Sequence, residues 1–330
     1  MTGAAAEREP RGFALLLVLW AVMILGIIAV AMLAGSGAAQ RQAYGGVDLL
    51  RRTALEDAAI DRAVAGVLAD QGAPKTGSLG LSHKPRWPRD GTPVTISFNG
   101  HDITVTIQDE SGKVDLNAAT KDTLTALLRT TEMGGADVED LVNHILDWRG
   151  DPKDTAKAGI IPIEYQGLGY SYHSRHGAFQ SIDELRLVDG MAPEVYDQLA
   201  PGITVYSGSK DIDPDTAPLV ALMTLPGLDK EKAIDVIAGR ARGIPYTPPP
   251  GQTATTPAGA ADSGGAPAPA AGAPAPAAPS GGAIGHALTI TAAVVLDDKR
   301  LAMRREIIRV IGPGPPVFLV LRDEEWLQRR

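Results

Sequence analysis

The chain has 330 residues, 44% of them hydrophobic and 21% charged, a composition that excludes a wholly disordered protein and suits one to three domains with a sizeable core. Its net charge of −8 argues against broad electrostatic attraction to nucleic acid or anionic lipid, and with no cysteine it has neither disulfides nor thiolate metal sites. The compartment has to be read from the N-terminus.

Residues 13–33 carry no charge, and a helix of that length, at about 1.5 Å per residue, is about 30 Å long and crosses a hydrocarbon core. Arg8 and Arg11 precede it and the next cation is Arg41, so the cationic bias places the N-terminus in the cytoplasm and everything after Leu33 across the membrane. The run is too long for the apolar part of an ordinary secretory signal, about 7 to 15 residues. Beyond it, Leu49, Leu50, Ala54, Ala58, Val64, Ala65 and Leu68 recur at helical spacing, which predicts an amphipathic continuation packed from about Val47. Gly35, Gly37, Gly45 and Gly46, each costing about 1 kcal/mol in a helix interior, predict one or two soft points.

The order basic residue, Gly12, Phe13, long apolar helix, amphipathic continuation resembles the type IV pilins and type II secretion pseudopilins. That resemblance implies a prepilin peptidase that cuts between Gly12 and Phe13 and methylates the new terminal Phe13. Most such chains carry glutamate at the fifth mature position, which here is Leu17. The departure, with the words ALLLVLW at 14–20, narrows the resemblance to the general secretion pathway protein K family, a minor pseudopilin. A buried terminal amine needs a carboxylate partner, because an unpaired buried ion costs several kcal/mol. A subunit with Leu17 does not supply it, so it is a poor repeating unit and a better terminal one.

VTISF and ITVTI alternate apolar and polar residues on either side of Asn99-Gly100, which predicts an antiparallel hairpin over 94–107. From Lys113 to Tyr246 the pattern turns helical and repeats itself. Setting KVDLNAATKDTLTALL beside DIDPDTAPLVALMTLP aligns Val114 with Ile212, Ala119 with Ala217 and Leu124 with Leu222. Each copy leads to a second helix, Val138 to Trp148 and Lys230 to Arg240, and a related unit, SIDELRLVDGMAPEVYDQLAP, lies between them. TLPGLDKEKAIDVIAGR looks like a helix-hairpin-helix unit, so the competing class is a membrane-anchored periplasmic module that handles DNA. Asp229 stands where a phosphate would dock, and 113–246 holds 13 Lys+Arg against 21 Asp+Glu, which opposes nucleic-acid binding.

Residues 247–285, almost entirely Pro, Ala, Gly, Ser and Thr, predict a linker, and strands return at His286 to Leu296, Met303 to Ile311 and Val317 to Leu321. Neither strand group suffices for a sheet alone, so the two join and the helical region is an insertion. The expected fold is α+β: a pilin-like N-terminal helix packed on an antiparallel sheet, interrupted by a large inserted all-α domain with helix-hairpin-helix-like repeats. Its divisions are a leader at 1–12, a membrane helix at 13–33, an amphipathic helix and first strands at 34–112, the insertion at 113–246, the linker at 247–285 and the remaining strands at 286–330. DESGKVDLNAA, ILDWRGD and FQSIDELRLVDGM carry the protein K resemblance further along the chain.

The chain has no P-loop and no G-x-S-x-G elbow, so nothing marks an enzyme, and no cofactor is required. Asp147, Asp151 and Asp154 fall within eight residues, and Glu164 lies in the next loop. Calcium favours such carboxylates, although this is not an EF-hand spacing, and a solvated acidic loop is the plain alternative. The resemblance implies a structural calcium in the helical domain, with these four residues as its ligands. His173 and His176 sit three apart without further ligands nearby and read as surface histidines. As a protein K relative the chain is expected at the tip of a pseudopilus, partnered by the I and J minor pseudopilins, the major pseudopilin and the prepilin peptidase.

Overall fold

The computed structural model describes residues 11–71, 87–150, 159, 163–244, 246–247, 285–295, 300–311 and 318–329. Residues 1–10 of the predicted leader, almost all of the linker and the turn at 297–299 lie outside them. The chain divides into two compact units, 1–55 and 56–330.

Helix α1 runs unbroken over Arg11–Gln71. The expected soft points do not interrupt its backbone, because helix propagation is cooperative and isolated glycines in so long a run cost only about 1 kcal/mol each. Within the second unit its buried stripe is Glu56, Ala59, Ile60, Ala63, Val64 and Val67. This corrects the expected face: Leu50 is 72% exposed, Ala54 and Ala65 are exposed, and Glu56 points inward. Val64 is buried as expected; the hydrophobic pattern misplaced the rest of the stripe because it counted a carboxylate as a solvent residue and took Ala54 and Ala65 for core in place of Ala59 and Ala63.

Strands β1 (Val94–Phe98), β2 (His101–Asp109), β5 (Ala287–Val295), β6 (Arg300–Val310) and β7 (Phe318–Arg329) form one antiparallel sheet in the order β1-β2-β5-β6-β7. Asn99 and Gly100 both take positive φ, 51° and 81°, as a two-residue hairpin turn requires. On one face Ile103, Val105 and Ile107 pair with Val294, Ala292 and Ile290, and all six are buried. On β6 the residues opposite Ala292 and Ile290 are Arg304 and Glu306. Arg304 bonds Asp57 of α1 and also pairs with Glu306 and Asp323, so a cation of the sheet grips the helix. Strand β7 extends eight residues beyond the predicted Leu321. Its polar stretch reads poorly as a strand, yet Arg304 with Asp323 and Arg305 with Glu324 pair across to β6 and carry it on.

The insertion lies between β2 and β5. It contains α2 (Lys121–Leu128), α3 (Gly135–Arg149), α4 (Pro193–Leu199), the single turn α5 (Leu219–Leu222) and α6 (Lys230–Ala241). The insertion is not wholly helical: β3 (Val114–Asp115) and β4 (Ile203–Thr204) pair in parallel and join the first repeat to the middle unit. No alternation signals strands of two residues. The aligned residues do occupy matching core positions, with Val114, Ile212, Ala119, Ala217, Leu124 and Leu222 all buried. Near the end of each second helix an arginine turns back onto its own repeat. Arg149 donates to the carbonyls of Leu116 and Ala119, and Arg240 to the aligned carbonyls of Pro214 and Ala217. Burial lowers the pKa of both guanidiniums. α5 is shorter than α2 because Pro226 disfavours helix at the residue before it.

Candidate functional site

Two places answer to the expectations: the apolar part of α1 and the acidic loop after α3. Over Leu15–Met32 mean hydropathy is 2.9 and none of the window is buried, and this is the one helix among the described residues long and apolar enough to cross a membrane. Gly12 and Phe13 lie in its first turn, their side chains outside the described residues. Leu17 is 57% exposed, amid an all-round apolar surface with Leu15, Leu16, Val18, Leu19 and Trp20. Such a helix finds its solvent in lipid or in other apolar helices.

The acidic loop is built on the C-terminal turns of α3. Asp147 is fully buried; its Oδ2 accepts from the Ile163 backbone N–H at 3.4 Å, while Oδ1 has no hydrogen-bond partner among the described residues. His176 Nδ1 lies 3.8 Å from Oδ1, beyond hydrogen-bond reach, and His176 takes a positive φ of 47°. Trp148 sits edge-on to Tyr165 at 5.5 Å and stacks on Phe179 at 6.4 Å. Burial pushes the Tyr165 hydroxyl up to about 12, so it stays protonated; its oxygen accepts from the Asp189 backbone N–H at 3.2 Å.

Of the two expected ligands among the described residues, Asp147 and Glu164, Asp147 is placed where a hard cation would help. Glu164 is exposed, Asp151 and Asp154 lie outside the described residues, and no group of three or more acidic or histidine side chains able to hold a metal occurs among the described ones. The orphaned buried oxygen of Asp147 fits a calcium ligand, since an uncompensated buried carboxylate is costly and an oxygen-seeking dication relieves it. His176 is exposed, as expected of a surface histidine, and its Nδ1 lies 3.3 Å from the Asp147 backbone carbonyl, 29 positions away, a contact the sequence did not signal. His173 hydrogen-bonds Gln166 on the surface. At the second repeat, Asp229 caps α6, accepting from the Lys232 backbone N–H at 2.9 Å. The helix start that would receive a phosphate is taken by a carboxylate.

The fold is α+β: a long N-terminal apolar helix, an antiparallel sheet and a mostly helical module spliced between two of its strands. Residues 99–208, about a third of the chain, match the family described as "Type II secretion system (T2SS), protein K". A chain of the crystal structure of the GspK-GspI-GspJ complex from the enterotoxigenic Escherichia coli type 2 secretion system is similar in fold. Its TM-score is 0.53 at 12% identity, over 86% of this chain and 99% of that one. No curated protein matches this sequence.

Proposed function

We propose that this protein is a minor pseudopilin of the K type, a structural part of a type II secretion pseudopilus that acts by assembly and not by catalysis. The observation that carries the reading is the joining, in one chain, of a segment that matches the protein K family to a helix whose apolar surface is exposed over Leu15–Met32. The helix anchors the chain in the inner membrane with its N-terminus cytoplasmic and its bulk periplasmic, and packs with the helices of I and J minor pseudopilins and the major pseudopilin. The complex containing the similar chain supports partners of that kind. A prepilin peptidase cuts between Gly12 and Phe13 and methylates Phe13. Because Leu17 offers no carboxylate to a neighbour's terminal amine, the subunit sits at the tip, its insertion outermost. Asp147, with Asp151, Asp154 and Glu164 as further candidates, holds a structural calcium when one is bound, supplying charge to a loop otherwise left with an orphaned oxygen.

The mass of the mature N-terminus tests the reading: a chain beginning at methylated Phe13 is expected, and an intact Met1 in assembled material overturns it. For tip placement, Leu17→Glu is expected to permit incorporation along the shaft, and unchanged terminal-only labelling counts against it. Calcium titration of the full chain should give a saturable heat that falls about tenfold or more in affinity with Asp147→Asn; a parent that binds no calcium removes that part of the proposal.

A further inference from the structure

The inserted module leaves the sheet after Asp109 and returns at His286, 177 positions later, and these two residues meet. His286 Nδ1 lies 3.1 and 3.0 Å from the two carboxylate oxygens of Asp109. Asp109 is fully buried and His286 keeps only 10% of its side-chain exposure. Every neighbouring element brings charge to the same spot. Before β1, Arg89 pairs with Asp109 at 2.9 Å. After β2, Glu110 pairs with Lys113 at 2.6 Å and accepts from Thr289 of β5 at 2.7 Å. Ser111 gives Asp109 both its backbone N–H and its hydroxyl. From the insertion comes Asp213, whose backbone N–H donates to the Ser111 carbonyl and whose far side faces Asp215 and Arg240. β6 contributes the Val310 N–H to the His286 carbonyl at 3.1 Å, while its Arg309, opposite Ala287, donates to the carbonyl of Tyr206 in the insertion.

A charged imidazole and Arg89 together face the fully buried Asp109 carboxylate; a neutral imidazole takes one of these two counter-charges away. Histidine changes charge between about pH 5 and 8, and a buried ion that loses its counter-charge is strongly destabilised. We infer that Asp109 and His286 form a proton-sensitive latch at the root of the inserted module, closed while the imidazole is charged and loosened as that charge is lost. Because the charged form is held by the fold, the stabilisation is complete at low pH and disappears as pH rises. The latch does not rest on the secretion reading.

Hydrogen exchange on the full chain in detergent micelles tests it. Protection factors at Ser111, Lys113, Gly285 and Val310 are expected to fall about tenfold between pH 6 and pH 8, while Leu124, inside the insertion's core, keeps its protection. His286→Gln should show the lower protection at both pH values, and His101→Gln, on the same sheet away from the root, should behave as the parent. A parent with no pH response at these amides, or a His286→Gln variant that keeps the full response, overturns the latch. Retained protection at Leu124 shows that the variant is folded; should it not be, Asp109→Asn serves as the second variant with the same expectation.

Discussion

Asp109, fully buried, and Asp213, half-buried, are two interacting aspartates whose surroundings push them in opposite directions. Burial alone would raise the Asp109 pKa, but the hydrogen bond and charge of His286, then Arg89 and Ser111, outweigh it and hold the carboxyl below its ordinary value. At Asp213 burial prevails and Asp109's own charge adds to it, so that carboxyl is raised. The signs follow. A depressed carboxyl stabilises the fold above its unfolded pKa and loses that contribution as pH falls through the folded value, below about pH 4. A raised one does the reverse and is relieved by acid. Asp109→Asn is therefore expected to cost about 3 kcal/mol at pH 7, since it leaves Arg89 and His286 facing a neutral amide, and to flatten the loss of stability below pH 4. Asp213→Asn should be near neutral or stabilising at pH 7. Urea unfolding at pH 3, 5 and 7 separates the two. Neither residue's role was legible in the sequence, because the partners come from 20 and 177 positions away.

Among the elements, α1 shows how a glycine can be held by packing and not by backbone need. A Cβ at Gly66 would run into the indole of Trp87, which is 6% exposed and whose backbone N–H donates to Asp70 at 2.8 Å. Alanine would improve helix propensity by about 1 kcal/mol, but it would have to push the indole from its seat. Gly66→Ala is accordingly expected to destabilise by about 1–3 kcal/mol despite the better helix former, with tryptophan emission moving to the red. A net gain in stability would show that Trp87 does not pack there. The hairpin at Asn99-Gly100 and the second helices of each repeat stood out in the sequence because turn chemistry and a sustained 3.6 period are local signals. The inward Glu56, the two-residue strands and the polar half of β7 did not, since each exists only through a partner elsewhere in the chain.

At the scale of the whole molecule, the second unit is a sheet and a module fastened at a root and at two straps. Arg309 donates to the Tyr206 carbonyl at 2.7 Å, and Arg322 donates to Ser181 Oγ at 2.7 Å and to Asp183 at 3.2 Å. Hydrogen bonds from charged groups contribute about 1.5–3 kcal/mol each where they are shielded and less where exposed. Replacing both arginines by methionine is expected to leave the buried core of the insertion folded while opening the chain near 205–208 to limited proteolysis. Unchanged cleavage rates would mean that the root alone fixes the module.

The sequence by itself determined the long apolar helix, the hairpin, the interruption of a sheet by a repeating helical segment and the resemblance to the protein K family, because a charge-free run of 21 residues, an alternating pattern and a short motif are each read within a few turns of chain. Only the tertiary structure decided which face of α1 is buried, that Arg149 and Arg240 clamp equivalent carbonyls in the two repeats, and that Asp147 keeps an orphaned oxygen. It alone brought Asp109 to His286. Local patterns fix what an element is; the energy of a buried charge depends on what stands beside it, and that is settled when distant segments meet.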